Sequence, residues 1–172
     1  MIIGFSGKAQ SGKDTAGEYL VREHNFHRVA SADALKRIAR NIFGWNSLKD
    51  EKGRRFLQEL GCTIRNYDQD YWINLTISEI KKRQNTSKQE NFVVTDVRFL
   101  NEARILRDNG ALLVRIERPG LKQDNHVSET ELDNYDGFGF VISNDKTIVD
   151  LSSELKNIVE SFYEQKNMSK TE

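Results

Sequence analysis

Gly7-Lys8-Ala9-Gln10-Ser11-Gly12-Lys13-Asp14-Thr15 is the stretch on which the reading of this chain turns. It nearly matches G-x-x-x-x-G-K-[ST]. An apolar run, Met1-Ile-Ile-Gly-Phe-Ser6, precedes it, and Ala16, Tyr19 and Leu20 follow at helical spacing. A strand that runs into a glycine loop and then a helix N-terminus makes a cradle for anions. The glycines let backbone N–H groups turn inward, the helix end adds partial positive charge, and Lys13 supplies a full charge for the β- and γ-phosphates of a nucleotide. Gly7, Lys8, Ser11, Gly12, Lys13, Asp14 and Thr15 are therefore the candidate nucleotide-binding residues. Asp14 stands where the pattern has a hydroxyl residue. Thr15 offers the hydroxyl one position later and is assigned to Mg²⁺. The plainer alternative, a glycine turn before a capped helix, leaves the strand–loop–helix context unexplained.

Working outward, the loop leads into a helix expected over 13–23, and 26–30 reads as a second short strand. Leu35, Ile38, Ala39 and Ile42 recur at i, i+3, i+4 and i+7 and predict an amphipathic helix. Two more helical stretches are expected over 51–66 and 71–83, and the polar run 84–91 reads as a loop. Phe92-Val-Val-Thr95 is a strand, 101–108 a helix stopped at Gly110, and Ala111-Leu-Leu-Val-Arg-Ile116 another strand. The segment 118–135 is polar and aperiodic, too long for a simple connector, and is expected to be a mobile lid. Residues 138–142 form a last strand. Ile148, Leu151, Leu155, Ile158, Val159 and Phe162 mark the inner stripe of a closing helix, with a frayed tail from 167. Strands alternating with helices predict a three-layer α/β fold of the P-loop NTPase kind, a parallel sheet with helices on both faces, in a single domain.

Composition narrows the function classes. The 172 residues carry 26 Lys plus Arg against 26 Asp plus Glu, which argues against a protein that coats nucleic acid through a broad basic surface. A single cysteine, Cys62, fits a reducing compartment and a packing role. The apolar run at the start is too short for a signal core or a membrane span. A cytoplasmic protein with neither membrane nor nucleic-acid partner is expected.

A phosphate loop names a ligand and leaves the reaction open. A GTPase would need a guanine-reading N-K-x-D stretch, which Ser143-Asn-Asp-Lys146 does not supply; Asp136-Gly-Phe-Gly139 matches only the short D-x-x-G string. The long polar segments between strands suit a kinase that closes over two substrates. Asp96 sits at the end of a buried strand, where it could hold the hydration shell of magnesium, with Arg98 placed to grip a phosphate. A helix cap with a surface ion pair is the alternative there. Asp33 and Lys36 open the second helix, where Asp33 could equally serve the helix dipole. Arg65 and Trp72 could meet phosphate and base, or simply belong to a packed helix. Arg115 and Arg118 flank the start of the lid. Arg118 is the better placed to neutralise charge in a phosphoryl-transfer transition state. His126 and Glu129 lie inside the lid with no assigned role.

These motifs together resemble the bacteriophage deoxynucleoside monophosphate kinase family over nearly the whole chain. The likeness rests on the phosphate loop, Ala32-Asp33-Ala-Leu-Lys36, Arg55-Phe-Leu-Gln58, Leu60-Gly61, Arg65 and Trp72. It continues through Thr95-Asp-Val-Arg-Phe-Leu-Asn-Glu-Ala103, Arg115-Ile-Glu-Arg118, His126-Val-Ser-Glu129, Leu132-Asp133 and Ile142-Ser-Asn144. It implies a nucleoside-monophosphate-kinase-like fold with a five-stranded sheet and a lid, ATP with Mg²⁺ as donor, and a deoxynucleoside monophosphate as acceptor. A phage-encoded member would act in host cytoplasm. It would put Lys13 and Thr15 at the donor phosphates, Asp33, Arg65 and Arg98 near the acceptor, and Arg118 in the lid. Adenylate-kinase-like enzymes likewise carry their threonine one position late. Two departures stand out: Ala34 replaces a proline, and Cys62-Thr63 replaces a threonine–glutamate pair. An animal-type phosphomevalonate kinase shares much of the loop and remains the alternative within the kinases. A non-catalytic ATP-binding regulator is the alternative outside them. The preferred base, the choice between ribose and deoxyribose, and homodimer formation stay open.

Overall fold

In a computed structural model of the chain, which describes residues 1–48, 50–86, 90–121 and 126–168, the apolar runs become five strands. They are β1 (Ile2–Ser6), β2 (Phe26–Val29), β3 (Asn91–Val94), β4 (Ala111–Glu117) and β5 (Phe140–Ser143). All pair in parallel, in the order β2-β3-β1-β4-β5, with β1 at the centre. The register sets Gly4 between Val94 and Leu113 and brings the C-terminal ends of β1, β3 and β4 together. Ligands of open α/β sheets bind at that edge, where the strand order reverses.

The centre of β1 is apolar on both sides, as a strand covered on both faces must be. Ile3 and Phe5 face one core with Ala16 and Leu20 of α1 (Lys13–His24) and Leu151, Leu155, Ile158 and Val159 of α7 (Ile148–Met168). Ile2 faces the other with Ile73, Ile77 and Ile80 of α4 (Tyr71–Thr86) and Ala103 and Leu106 of α5 (Leu100–Asp108). Beyond α4 lie α2 (Ser31–Phe43) and α3 (Glu51–Tyr67), which pack on each other and on α4. The three-layer α/β fold with a five-stranded parallel sheet agrees with the sequence reading.

Three differences have physical reasons. Ile42 and Ile148, expected on inner stripes, are 72% and 63% exposed. A helical period identifies an apolar stripe, and only the tertiary structure says how far along the helix that stripe is covered. The helix expected to end at 83 runs to Thr86. The lid segment, read as aperiodic, contains one helical turn, α6 (Val127–Thr130), and buries Leu132 against the second core. Position 49 of the helical region, positions 87–89 of the expected loop, 122–125 of the lid and 169–172 of the tail lie outside the described residues.

Candidate active site

The phosphate loop closes as the spacing requires. Gly7 has φ +145°, and a Cβ there would lie 2.2 Å from the carbonyl oxygen of Ile116, so only glycine fits. Gly12 has φ +108° and stands at the N-cap of α1 with no side chain to cap it. The first amides of α1 are thus left to whatever anion the loop receives. Lys13 is buried. Its ammonium donates to the carbonyls of Gly7 (2.7 Å) and Lys8 (2.6 Å) and lies 3.4 Å from Ser11 Oγ. Burial, and then the positive charge of Arg98, pull its pKa down from 10.5 to about 8. A buried cation bonded only to neutral groups of its own loop is prepared for an anionic ligand. Thr15 follows in the first turn of α1 and is half-buried.

Beside the loop is a cavity of about 280 Å³. Its walls are apolar, from Leu35 of α2, Leu57 of α3, Trp72 of α4 and Phe99 ahead of α5. Its polar lining includes Lys36, Arg65, Asp96, Arg98, Glu102 and Glu129. An apolar slot with a few convergent charges is the usual form of a small-molecule site.

Arg98 stands where cavity and loop meet. Its guanidinium donates to Ser128 O at 3.3 Å and pairs with Glu129, whose other carboxylate oxygen accepts the backbone N–H of Ala9 at 2.6 Å. Lys8 reaches the same segment, donating to Glu129 O at 2.6 Å and to Asp133 at 2.5 Å. Arg115 holds Asp133 from the other side at 2.8 Å and Leu132 O at 3.0 Å. Burial alone would raise the pKa of Asp133; bonds from Lys8 and Arg115 outweigh it and hold the carboxyl below its ordinary value.

Asp96 is more occupied than its strand-end position suggests. Ala30, the N-cap residue of α2, has no side chain that could cap it. The Asp96 carboxylate does so from 65 residues away, accepting Ser31 N (3.3 Å), Ser31 Oγ (2.9 Å) and Ala32 N (2.8 Å). Trp72 is 3% exposed and its indole donates to Gly61 O at 3.1 Å, so it serves as cavity wall and core together. Arg65 pairs with Glu102 at 3.0 Å.

Not every candidate residue converges. Asp33 is not among the residues that line the cavity; it pairs with Arg28 (2.6 Å) and Lys36 (3.2 Å). Burial acts to raise its pKa, and those two cations bring the net shift downward. Arg118 is exposed just beyond the end of β4 and does not line the cavity. Asp14 is exposed on α1. Conversely, Glu102, Asp133 and Asn144 take part in the site without an assigned role in the sequence reading. No cluster of three or more His, Cys, Asp or Glu side chains suited to a metal occurs among the described residues. Magnesium held mainly by nucleotide phosphates and water needs only one or two protein oxygens, and the Thr15 hydroxyl and Asp96 carboxylate are of that hard type. No helix among the described residues is long and apolar enough to cross a membrane.

Comparison with known proteins agrees in family and fold. The sequence profile of a family described as deoxynucleotide monophosphate kinase matches residues 41–155. A protein of Acanthamoeba polyphaga mimivirus, provisionally assigned as a deoxynucleotide monophosphate kinase, is 30% identical over 94% of this chain and 97% of its own length. The deoxynucleotide monophosphate kinase of Enterobacteria phage T4 is 34% identical over 65% of this chain, a match that spans 47% of the phage protein. Among solved structures, dephospho-CoA kinase from Campylobacter jejuni superposes with a TM-score of 0.56 over 93% of this chain and 96% of its own, at 16% identity. Shikimate kinase from Aquifex aeolicus does so at 0.54, over 95% and 98%, with 15% identity. At such identity the likeness extends to fold alone.

Proposed function

The chain belongs to the deoxynucleotide monophosphate kinase family, and we propose that it transfers the γ-phosphate of ATP to a deoxynucleoside monophosphate, giving ADP and the deoxynucleoside diphosphate. The observation that carries this reading is the junction at Glu129. This one side chain bonds the phosphate loop at Ala9 and also lines the cavity with Arg98, so a donor cradle and a basic, apolar-walled acceptor pocket share one wall. Such adjacency is what direct transfer between two bound phosphates requires.

In this reading the loop amides and Lys13 hold the β- and γ-phosphates. Arg65 and Arg98 hold the acceptor phosphate, with Lys36 beside it and Leu35, Leu57, Trp72 and Phe99 around the nucleoside. Thr15 and Asp96 would hold Mg²⁺, which when bound supplies charge neutralisation for the transferred group. An oxygen of the acceptor phosphate attacks the γ-phosphorus as the bond to the β-phosphate oxygen breaks, and ADP leaves. No protein base is needed, because the acceptor monoester is already largely ionised near neutral pH. Catalysis is then positioning and charge neutralisation, with Arg118 brought in by the segment 118–135. The chain works as one kinase unit, with an acceptor-binding helical region over 31–86, and acts in the cytoplasm.

The test is ADP release from ATP and Mg²⁺ across the four deoxynucleoside monophosphates, the matching ribonucleotides and phosphomevalonate. Turnover with at least one deoxynucleotide is expected. Turnover with phosphomevalonate alone would keep the transfer chemistry and replace the acceptor. Silence from a folded, ATP-binding sample would leave a nucleotide-binding regulator.

A further inference from the structure

Lys13 and Glu102 are both charged and buried, and phosphate binding explains only the first. Glu102 lies in the first turn of α5 and is 3% exposed. One carboxylate oxygen accepts the backbone N–H groups of Arg98 (2.8 Å) and Phe99 (3.2 Å), an N-terminal capping arrangement. The other accepts Arg65 Nη2 of α3 at 3.0 Å. The Arg65 guanidinium is confined from a second side as well, its Cζ standing 3.5 Å from the centroid of the Phe99 ring. Three donors surround the carboxylate; burial, with the nearby Asp96 charge adding to it, raises its pKa above the ordinary value, and Arg65 and the Arg98 amide offset only part of that rise.

Capping does not require this burial, since a glutamate facing water caps a helix equally well. Stability is a weak reason too, because a buried ion pair is often no better than apolar side chains of the same volume. What the arrangement does achieve is a fixed relation between two cations. One carboxylate holds the backbone of Arg98 and the side chain of Arg65, and Arg65, Arg98, Phe99 and Glu102 all line the cavity beside the phosphate loop.

We propose that Glu102 is a positioning residue that presents Arg65 and Arg98 as a prearranged pair to the phosphate of the acceptor. This rests on the assignment of the cavity to the acceptor nucleotide. Before binding, Glu102 balances the charge of Arg65 and keeps its guanidinium against Phe99. On binding, Arg65 bridges Glu102 and the incoming dianion without having to be ordered first. Such preorganisation raises affinity by removing the ordering cost from the binding step. It acts on the acceptor, because among the described residues Glu102 makes no hydrogen bond or ion pair with the phosphate loop and its bonds run to Arg65, Arg98 and Phe99.

The experiment is calorimetric titration of wild type, Glu102→Gln, Arg65→Ala and the double variant with dGMP, dTMP, dCMP and dAMP, and separately with ATP. Glutamine keeps the length and can cap with its oxygen, but its amide then faces Arg65 donor to donor. Glu102→Gln should weaken deoxynucleotide binding at least tenfold and change ATP binding less than twofold. In the Arg65→Ala background the same change should cost less than twofold, because the two residues act as one unit. Equal losses in both backgrounds, parallel losses for ATP, or no loss at all would overturn the proposal. Should Glu102→Gln not fold, Arg65→Lys probes the link from the other side. It keeps the ion pair and loses the planar fork, so a drop in acceptor affinity of at least fivefold is expected, and none would overturn the proposal. A wild type that binds deoxynucleotides but transfers no phosphate defeats the kinase reading and leaves this proposal standing. A wild type that binds none of the four defeats both.

Discussion

The side-chain amide of Asn144 donates to the carbonyl oxygen of Ser11 at 2.8 Å, fastening the end of β5 to the phosphate loop 133 residues earlier in the chain. The bond acts at the turn into α1, where a Cβ on Gly12 would come within 2.4 Å of that amide nitrogen. Loss of one such bond is worth about 1 kcal/mol, or roughly fivefold in an equilibrium constant. Asn144→Ala should raise the KM for ATP by about that factor and leave the KM for the acceptor within twofold. Steady-state kinetics with each substrate varied separately decides the point; equal rises would mean that β5 braces the whole site.

Lys13 makes a prediction about stability and pH. Its pKa is about 8 when folded and 10.5 in the unfolded chain, so the unfolded state binds more protons between those values. Stability from this group therefore rises as pH increases from about 8 to about 10.5, because the buried ammonium is progressively neutralised. The full change is about 3 kcal/mol, since each tenfold difference in proton affinity between the two states corresponds to about 1.36 kcal/mol. Lys13→Met should lack that rise, so wild type should gain about 3 kcal/mol relative to the variant between pH 7.5 and pH 10.5. The substitution should also lower turnover by at least a hundredfold. Urea unfolding of ligand-free protein at pH 7.5 and 10.5 measures the first effect; an unchanged difference would mean that Lys13 is not depressed.

The parts of this structure legible in the sequence are those set by neighbours in the chain. The glycine spacing of the phosphate loop, the apolar strand before it and the 3.6-residue stripes of α1 and α7 are local patterns, and β1, α1 and the interior of α7 follow from them. The site is legible to the extent that it is local: Lys13 in its loop, and Arg98 at a strand end. What stays hidden depends on contacts across the fold. Nothing near Ala30 says that α2 is capped by Asp96, and nothing near Glu129 says that its carboxylate meets Ala9, 120 residues away. Motif likeness puts Asp33 near the acceptor, and it does not reveal that Arg28 on β2 competes for its carboxylate.

Asp96 is predicted to carry two separable burdens. It caps α2 through Ser31 and Ala32, and losing a helix cap costs about 1–2 kcal/mol. Asp96→Ala should lower stability by that amount whether or not nucleotide is present. If it also holds magnesium, half-maximal turnover should need at least fivefold more Mg²⁺. Ser31→Ala removes one capping bond without removing the carboxylate, so it should lower stability slightly and leave the Mg²⁺ requirement unchanged. Thermal unfolding and Mg²⁺ titrations of the two variants separate the roles. An unaltered Mg²⁺ requirement in Asp96→Ala would leave Asp96 as a cap alone.

Glu129 sets the last prediction. Its carboxylate engages the Ala9 amide and the Arg98 guanidinium, two donors that the kinase reading gives to phosphate oxygens. A phosphate cannot share these donors with a carboxylate, because the two anions would repel each other at contact distance. Binding must therefore displace Glu129, and part of the ligand's interaction energy is used in doing so. Removing the carboxylate should make binding tighter rather than weaker. For Glu129→Ala, pyrophosphate and ATP should bind about tenfold more tightly, corresponding to about 1.4 kcal/mol. The segment 126–133 should keep its place through Lys8, Arg115 and Asp133, whose bonds do not involve the Glu129 side chain. Calorimetric titration with pyrophosphate avoids any complication from turnover. A weaker pyrophosphate complex in the variant would mean that Glu129 stays in place and supports the loop while the anion binds.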